Sequence, residues 1–266
     1  MCIFERSKKG MKFKMAKKKN YKSNKNINTK QIITSLISLI IMIIIACFVQ
    51  QDDYNFNNVE TNSNVFGNTT YSDLEKIQDY SGEICVMINN NKPYFNENDY
   101  TTNAFENYSD LDYLGRCGVA YVNICKEIMP PVGDERGDIS SIHPTGWKQT
   151  KINGEYLYNR CHLIAHSLSD EDDNKQNLIT GTRYFNVYGM LPIESSILEY
   201  MNKNKDNHVL YRVTPLFKGE NLLASGVQME AYSVEDNGEL SFNVFVYNIQ
   251  PGLTLDYANG ELMKTN

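Results

Sequence analysis

Two short segments in the second half of the chain contain side chains that could hydrolyse a phosphodiester bond. The run YLYNRCHLIAHSL contains His162, and the run NLITGTRYFN contains Asn177, Arg183 and Asn186. Hydrolysis of such a bond needs a base that activates water, a cation that neutralises the charge developing on phosphorus, and a group that steadies the leaving oxygen. These two segments supply one of each, so we expect them to lie together in the fold.

The chain has four histidines, His143, His162, His166 and His208. His162 and His166 have the spacing of two zinc ligands on one helical turn, but Leu163 stands where the catalytic glutamate of the H-E-x-x-H protease motif would be. The pattern therefore disfavours a zinc site built from these two residues. We interpret His143 and His208 as structural.

The cysteines do not have the spacing of a metal-binding framework. The chain has six of them and contains no C-x-x-C pair. Outside the cell Cys117 and Cys125 could form a disulfide, but free buried thiols fit the sequence at least as well. The sequence leaves both alternatives open.

The N-terminal part of the chain has the composition of a membrane anchor. Residues 1–31 hold eleven basic residues and one acidic residue, whereas residues 32–266 hold 15 basic and 31 acidic residues. Residues 32–49 form an 18-residue run without a charge, which is just long enough to cross the hydrocarbon core of a bilayer. Because the basic flank precedes this run, the positive-inside rule places the N-terminus in the cytoplasm and the rest of the chain outside. We therefore predict a single-pass protein of the cell membrane.

Alternatives to an uncleaved anchor remain open. The residues from Ile44 to Cys47 resemble a bacterial lipobox, in which cleavage before Cys47 would leave a lipid anchor; the domain could also be secreted. Each alternative exports the same domain. The predicted organisation is a basic cytoplasmic segment, a transmembrane segment, a flexible linker, a folded domain and a short tail, at residues 1–31, 32–49, 50–70, 71–258 and 259–266.

Hydrophobic periodicity predicts an α+β fold for the folded domain. Ile84 to Ile88 reads as a short strand, and alternating apolar and polar residues predict strands at 209–213, 222–234 and 240–249, with an Asn237-Gly238 hairpin turn between the last two runs. A helical pattern runs over 183–204, with expected interruptions at Gly189 and Pro192. We therefore expect an antiparallel sheet that backs one prominent helix.

The run from Arg136 to Tyr257 resembles the DNA/RNA non-specific endonuclease family, whose members share the ββα-metal, or His-Me finger, active site. The resemblance is carried by HPTGW, YLYNRCHLI, NLITGTRYFN and GMLPIE, and it is strongest to membrane-anchored and secreted nucleases of Gram-positive bacteria. It implies an Mg²⁺-dependent hydrolase, with Mn²⁺ as a substitute, that cuts DNA or RNA without sequence preference. Family members typically carry Asp-Arg-Gly-His at the catalytic turn, where this chain has Asn159-Arg160-Cys161-His162.

The resemblance also implies roles for individual residues. His162 would be the general base, and Asn186 would be the one direct protein ligand of the metal, which suits Mg²⁺ because this ion keeps most of its waters. Asn177 is expected beside the scissile phosphate or the base, and Glu194 would hold metal-bound water. Residues eight apart lie about 80° apart on an ideal helix, so Glu194 fits this role only if the predicted interruption turns it inward.

Five arginines follow the apolar run, in a strongly acidic part of the chain where phosphate binding needs local positive charge. Arg136 and Arg160 are our candidates for contact with the substrate and its transition state. Arg183 and Arg116 are our candidates for substrate binding. Any one of them could instead form an ordinary surface ion pair.

Two classes of function are compatible with the sequence. The first is an enzyme that degrades extracellular nucleic acid, and the alternative is a non-catalytic receptor or adhesin for nucleic acid on the same fold. His162, Asn177, Asn186 and Glu194 together favour the enzyme, because a binding module does not need a base beside a metal ligand. A secreted toxin with an immunity partner is disfavoured by the anchor. The expected partners are DNA, RNA and the membrane, with no obligatory protein partner.

Overall fold

The computed structural model describes residue 74, residues 76–131 and residues 133–263. Within these residues no helix has the length and apolar character needed to cross a membrane. The predicted basic segment, transmembrane segment and linker lie outside the described residues.

The described region consists of twelve strands and one α-helix, joined by loops and short turns. The strands are β1 (Cys85–Met87), β2 (Glu106–Tyr108), β3 (Ala120–Ile124), β4 (Lys151–Ile152), β5 (Glu155–Tyr156), β6 (Tyr158–His162), β7 (Leu178–Thr182), β8 (Val209–Leu216), β9 (Gly226–Ser233), β10 (Ser241–Tyr247), β11 (Leu255–Asp256) and β12 (Glu261–Leu262). The helix α1 spans Leu191–Lys203, and 3₁₀ turns lie at Asn89–Asn91 and Lys175–Asn177. This composition confirms the predicted α+β fold.

A six-stranded antiparallel sheet forms the centre of the domain, in the order β1-β10-β9-β8-β3-β2. The predicted strands near 84–88, 209–213 and 240–249 correspond to β1, β8 and β10. The prediction was wrong for the start of β9, because the N–H groups of Leu222 and Leu223 bond to the carbonyls of Ala258 and Tyr257 near the C-terminus. The predicted Asn237-Gly238 turn is confirmed, and both residues have positive φ, at 57° and 87°.

Both faces of this sheet are covered, and all eight residues of β8 are buried. On one face the side chains of Tyr211 and Val213 belong to the main core, together with Phe185 and Ile197 of the helical segment. On the other face Leu210 packs with aromatic residues of the N-terminal half, in a smaller cluster. The sheet therefore provides a rigid base for the elements that lie on its first face.

A hairpin and a helical segment on the first face form one continuous ββα unit. Strand β6 pairs antiparallel with β7, and a helical segment begins at residue 183 and runs to the end of α1. The prediction of an interrupted helix was wrong, since the chain stays helical through Gly189 and Pro192 but changes its pitch. Gly189 is required by close packing, because an added Cβ would lie 2.5 Å from the side chain of Val246.

Candidate active site

His162, the predicted base, is the last residue of β6 and lies opposite Leu178, the first residue of β7. It is 7% exposed, and its Nε2 lies 2.8 Å from the main-chain carbonyl oxygen of Asp172. Because a carbonyl can only accept a hydrogen bond, Nε2 carries the proton and Nδ1 keeps a lone pair. Nδ1 is therefore the atom that could take a proton from water.

The lone pair of His162 faces a positive charge. Nη2 of Arg136 lies 2.8 Å from Nδ1 and donates to it. Burial lowers the pKa of His162 to about 4; the Arg136 charge adds to this effect, and the hydrogen bond to the Asp172 carbonyl opposes it. The imidazole is therefore neutral at neutral pH, as a general base must be.

Asn177 lies in the 3₁₀ turn before β7 and is fully buried. Its Oδ1 accepts a hydrogen bond from the N–H of Ile164 at 2.8 Å, and its Nδ2 donates to the carbonyl of the same residue at 3.0 Å. This pair of bonds fixes the main chain two residues after His162. Of the two predicted locations for Asn177, the contacts favour positioning of the base over contact with phosphate.

Asn186 lies in a π-helical turn, Phe185–Met190, in which its carbonyl accepts a hydrogen bond from the N–H of Leu191, five residues later. Such a turn holds one residue more than an α-helical turn, so every residue beyond it is rotated as if it were one position earlier. Asn186 and Glu194 are therefore related as i and i+7, roughly 20° apart instead of about 80°. The required inward rotation of Glu194 thus comes from the change of pitch and needs no break at Pro192.

The polar groups of Asn186 and Glu194 suit a hard divalent cation. Within the described part of the chain, neither side chain forms a hydrogen bond or an ion pair, and Glu194 is only 8% exposed. Burial raises the pKa of Glu194 to about 8, against the opposing charge of Arg136. A desolvated carboxylate and a carboxamide on one helix face offer the oxygen donors that Mg²⁺ prefers, and a cation there would favour the ionised carboxylate.

Arg160 is partly used to hold the loop that precedes β4. Its guanidinium lies over the Trp147 ring at 4.1 Å from the centroid. Nε donates to the carbonyl of Ile142, and Nη2 donates to the carbonyl of Ser140 at 2.6 Å. These contacts limit the movement of the Arg160 guanidinium. Arg160 lies two residues before His162 in β6.

The two candidate substrate-binding arginines lie in different environments. Arg183 is exposed, and its Nε is 3.8 Å from Oε2 of Glu155, so it can turn towards a ligand at little cost. Arg116 is held by Asp112 at 2.7 Å and by two main-chain carbonyls of residues 219–221 at 2.7 and 3.1 Å. The contacts described for Arg116 give it a structural role, and none of them is to the base or to its partners.

His162 ends the first strand of the ββα unit, and Asn186 lies near the start of its helical segment. The family profile described as DNA/RNA non-specific endonuclease matches residues 96–235, just over half of the chain, and this range includes every predicted site residue. The chain belongs to the DNA/RNA non-specific endonuclease family.

This member of the endonuclease family is similar to several streptococcal proteins. It is 36% identical over 123 residues to a deoxyribonuclease of Streptococcus dysgalactiae subsp. equisimilis, a match that spans 45% of this chain and only 36% of the relative's length. Its fold is similar to that of NucA from Streptococcus agalactiae with a magnesium ion bound, at a TM-score of 0.58 and 28% identity, covering 66% of this chain and 85% of NucA. It is also similar to Sda1 nuclease with a bound zinc ion, at a TM-score of 0.54 and 32% identity, covering 60% of this chain and 82% of Sda1.

Cys161, which stands where family members typically carry glycine, is accommodated inside the endonuclease core. An added Cβ on Gly181 of the neighbouring strand would lie 2.6 Å from the Cys161 sulfur, so Gly181 leaves the space that this sulfur fills. Burial raises the pKa of the Cys161 thiol, which makes it an inert packing group. Cys117 and Cys125 are also free thiols and form no disulfide with each other.

Sequence reasoning missed Asp172, whose main-chain carbonyl accepts a hydrogen bond from Nε2 of His162. A main-chain acceptor has no side-chain signature, and only its place in the acidic run SDEDDN distinguishes the position. The side chain of Asp172 has a second contact, since its Oδ2 accepts a hydrogen bond from the N–H of Gly137 at 2.5 Å. Asp172 therefore connects the loop after β6 to the segment that carries Arg136.

Proposed function

We propose that this chain is a metal-dependent endonuclease that hydrolyses phosphodiester bonds of DNA, and of RNA as well, without sequence preference. The observation that carries the proposal is the buried, neutral imidazole of His162, which is fixed as the Nε2–H tautomer and has an arginine at its free nitrogen. General-base activation of water requires this protonation state.

The residues around the base suggest how substrate binding would expose it. Arg136 donates a hydrogen bond to the lone pair of Nδ1. A guanidinium binds a phosphate more strongly than it binds a neutral imidazole, because the guanidinium and the phosphate are both charged. Binding of the scissile phosphate would therefore draw Arg136 away, and Nδ1 would be free to accept a proton from water. The Asp172 carbonyl would hold the ring in place during this exchange.

Asn186 is the residue that we propose as the direct protein ligand of Mg²⁺, and Mn²⁺ can substitute. A bound Mg²⁺ would neutralise charge on the phosphate and stabilise the leaving oxygen. Glu194 lies on the same helix face, where its carboxylate would orient water of the ion's hydration shell. Arg160 and Arg183 add positive charge for the nucleic-acid backbone.

The second candidate function is a non-catalytic receptor for nucleic acid on the same fold. A receptor would need the arginines but not a desolvated imidazole of fixed tautomer, and keeping that ring buried has no value for binding alone. Incubation of the full-length chain, in detergent, with plasmid DNA and with RNA distinguishes the two functions. We expect fragments of both polymers with Mg²⁺ and none with EDTA, whereas binding without any cleavage would support the receptor.

The pKa of His162 predicts the acid limb of the activity profile. The base works only when unprotonated, so kcat/KM should be flat near neutrality and fall as the pH drops through about 4. Initial rates on a plasmid substrate, measured across this range with circular dichroism as a control for unfolding, check the prediction. A midpoint near 6.5, the ordinary value for histidine, would mean that the ring is not desolvated in solution.

Arg136→Ala should lower the cleavage rate about 10²-fold, because it removes a donor aimed at the developing charge. It should also move the acid limb to higher pH, since the Arg136 charge lowers the pKa of His162. The matched control is Arg183→Ala, whose side chain has only a loose ion pair and should have a smaller effect. Each variant should lose the same fraction of its activity on DNA substrates of unrelated sequence, because these residues would contact the phosphate backbone. A loss that varies with base composition would contradict this role.

We also propose that the domain acts outside the cell, anchored by residues 32–49. The motive is the charge-free run with eleven basic residues before it. Protease added to intact cells should remove the endonuclease domain and leave the N-terminal segment protected. Active protein found only in the cytosol would overturn the proposal, and mass spectrometry of the mature N-terminus would distinguish an anchor from a lipoprotein.

A further inference from the structure

A second group of titratable side chains lies between the loop that follows β6 and the segment that precedes Arg136. It consists of Asp134, His166 and Asp170, whose candidate ligand atoms all lie within 4.8 Å of one another. Nε2 of His166 is 3.6 Å from Oδ2 of Asp134, and Nδ1 is 4.0 Å from Oδ1 of Asp170. The carboxylate of Asp172 adds a third acid, with its Oδ1 3.2 Å from Nδ1. One imidazole is thus surrounded by three carboxylates.

The polar atoms at the centre of this group lack hydrogen-bond partners. Both ring nitrogens of His166 and Oδ1 of Asp172 are shielded from solvent, and none of them forms a hydrogen bond. Buried polar atoms in folded proteins are nearly always hydrogen-bonded, so three unpaired atoms at one point call for an explanation. A cation between the imidazole and the carboxylates would satisfy them and would offset the repulsion among the acids.

We propose that Asp134, His166 and Asp170 bind a divalent transition-metal ion of the Mn²⁺ and Zn²⁺ class. An imidazole nitrogen with two carboxylates suits these ions, whereas Ca²⁺ and Mg²⁺ take almost only oxygen ligands. Asp172 supplies the carboxylate that metal-bound histidines commonly use to orient the ring, since a small ring rotation would turn the 3.2 Å contact with Nδ1 into a hydrogen bond. Nε2, which faces Asp134, is then the nitrogen left for the ion, and the exposed carboxylate of Asp170 would turn from Nδ1 towards it.

The ion would hold together the two segments that position the base. Asp134 lies two residues before Arg136, and Asp170 lies two residues before Asp172, whose carbonyl bonds to His162. A metal bound between these segments would keep both partners of the imidazole in place. The His166 group shares no ligand with the Mg²⁺ site proposed at Asn186, and its existence does not depend on nuclease activity.

Another group with metal-ligand chemistry, Cys125, Glu127 and His208, provides a control and no proposal. Nδ1 of His208 is already bonded to Glu235 at 2.5 Å, so this imidazole has a partner within the protein. A variant of His208 removes an imidazole of the same kind without touching the His166 group.

The test uses Mn²⁺ and the full-length chain in detergent, because thiols would also bind Zn²⁺. All variants are made in an Asn186→Ala background, so that the proposed catalytic ion does not contribute. Bound Mn²⁺ is counted from the loss of the free-ion signal in electron paramagnetic resonance, and the melting temperature is followed with and without the ion. We expect one Mn²⁺ per chain and a rise in melting temperature. Asp172→Asn should weaken binding about 10-fold or more, as loss of a supporting carboxylate does.

Each of three further substitutions in the Asn186→Ala background should weaken Mn²⁺ binding more than Asp172→Asn does: His166→Ala, Asp134→Asn and Asp170→Asn. His208→Ala should leave Mn²⁺ binding unchanged. The two aspartates are half exposed, so their variants keep the test valid if His166→Ala fails to fold. Absence of Mn²⁺ binding in the Asn186→Ala chain would overturn the proposal and leave only the contacts between His166 and the neighbouring carboxylates. Equal binding in the aspartate variants would overturn it as well.

Discussion

His162→Ala should lower the rate of DNA cleavage by about 10² to 10⁴, the range expected when a general base is lost, while affinity for DNA survives. The imidazole is held by the Asp172 carbonyl at Nε2 and by Arg136 at Nδ1, and truncation removes the nitrogen that would take the proton from water. Single-turnover cleavage gives the rate, and fluorescence anisotropy with EDTA gives the affinity. A small imidazole added to His162→Gly should restore part of the activity.

Two controls separate loss of chemistry from loss of structure. The circular dichroism spectrum of His162→Ala should stay close to that of the wild type, because the pairing of β6 with β7 is made by the main chain. The melting temperature should fall but remain well above the assay temperature, since the Asp172 carbonyl and Arg136 lose their partner. A near-normal cleavage rate in a folded His162→Ala chain would remove His162 from the mechanism and would leave the binding function as the better explanation.

Asn186→Ala should abolish cleavage at ordinary Mg²⁺ concentrations, because it removes the proposed direct ligand. The loss of metal affinity should exceed the roughly 10–100-fold that loss of an outer-shell partner causes. Calorimetric titration of Mg²⁺ measures it, and Mg²⁺ is chosen because the His166 group favours softer ions. Asn186 makes no hydrogen bond within the described residues, so its truncation should leave the melting temperature almost unchanged.

Asn177→Ala is the matched control, since it removes the same carboxamide nine residues earlier. It leaves the N–H and carbonyl of Ile164 without their partner, and each buried unpaired group costs about 1–3 kcal/mol of stability. We therefore expect a lower melting temperature and lower turnover, with Mg²⁺ affinity unchanged. Equal Mg²⁺ affinity in the wild type and both variants would mean that Asn186 is not the ligand.

The sequence predicted those features that side chains determine, namely most of the strands and the type of site. The alternating runs that became β8 and β10 have period 2, and Asn237-Gly238 marks the turn because both residues adopt positive φ. The start of β9 could not be predicted, because Leu222 and Leu223 are paired by main-chain bonds to distant residues that leave no trace in the local pattern.

The geometry within the site was less accessible from the sequence, for two physical reasons. Gly189 and Pro192 predicted a break in the helix, but the chain forms a π-helical turn there, and this turn places Asn186 and Glu194 on one face. The carbonyl of Asp172 orients His162 through the main chain, where residue type is irrelevant.

Asn248 sets a limit on when the catalytic hairpin can become rigid during synthesis. Its Nδ2 donates to the carbonyls of Thr180 and Ala224, and its Oδ1 accepts from the N–H of Thr182, so β7 is fastened to the large sheet by a residue almost at the end of the chain. Edge strand β1 likewise waits for β10, its partner some 160 residues later. Contacts so distant in sequence form late and slowly. A ribosome-bound chain that ends before residue 248 should therefore have a protease-sensitive hairpin and no activity, and the chain would become an enzyme only as its last strands emerge.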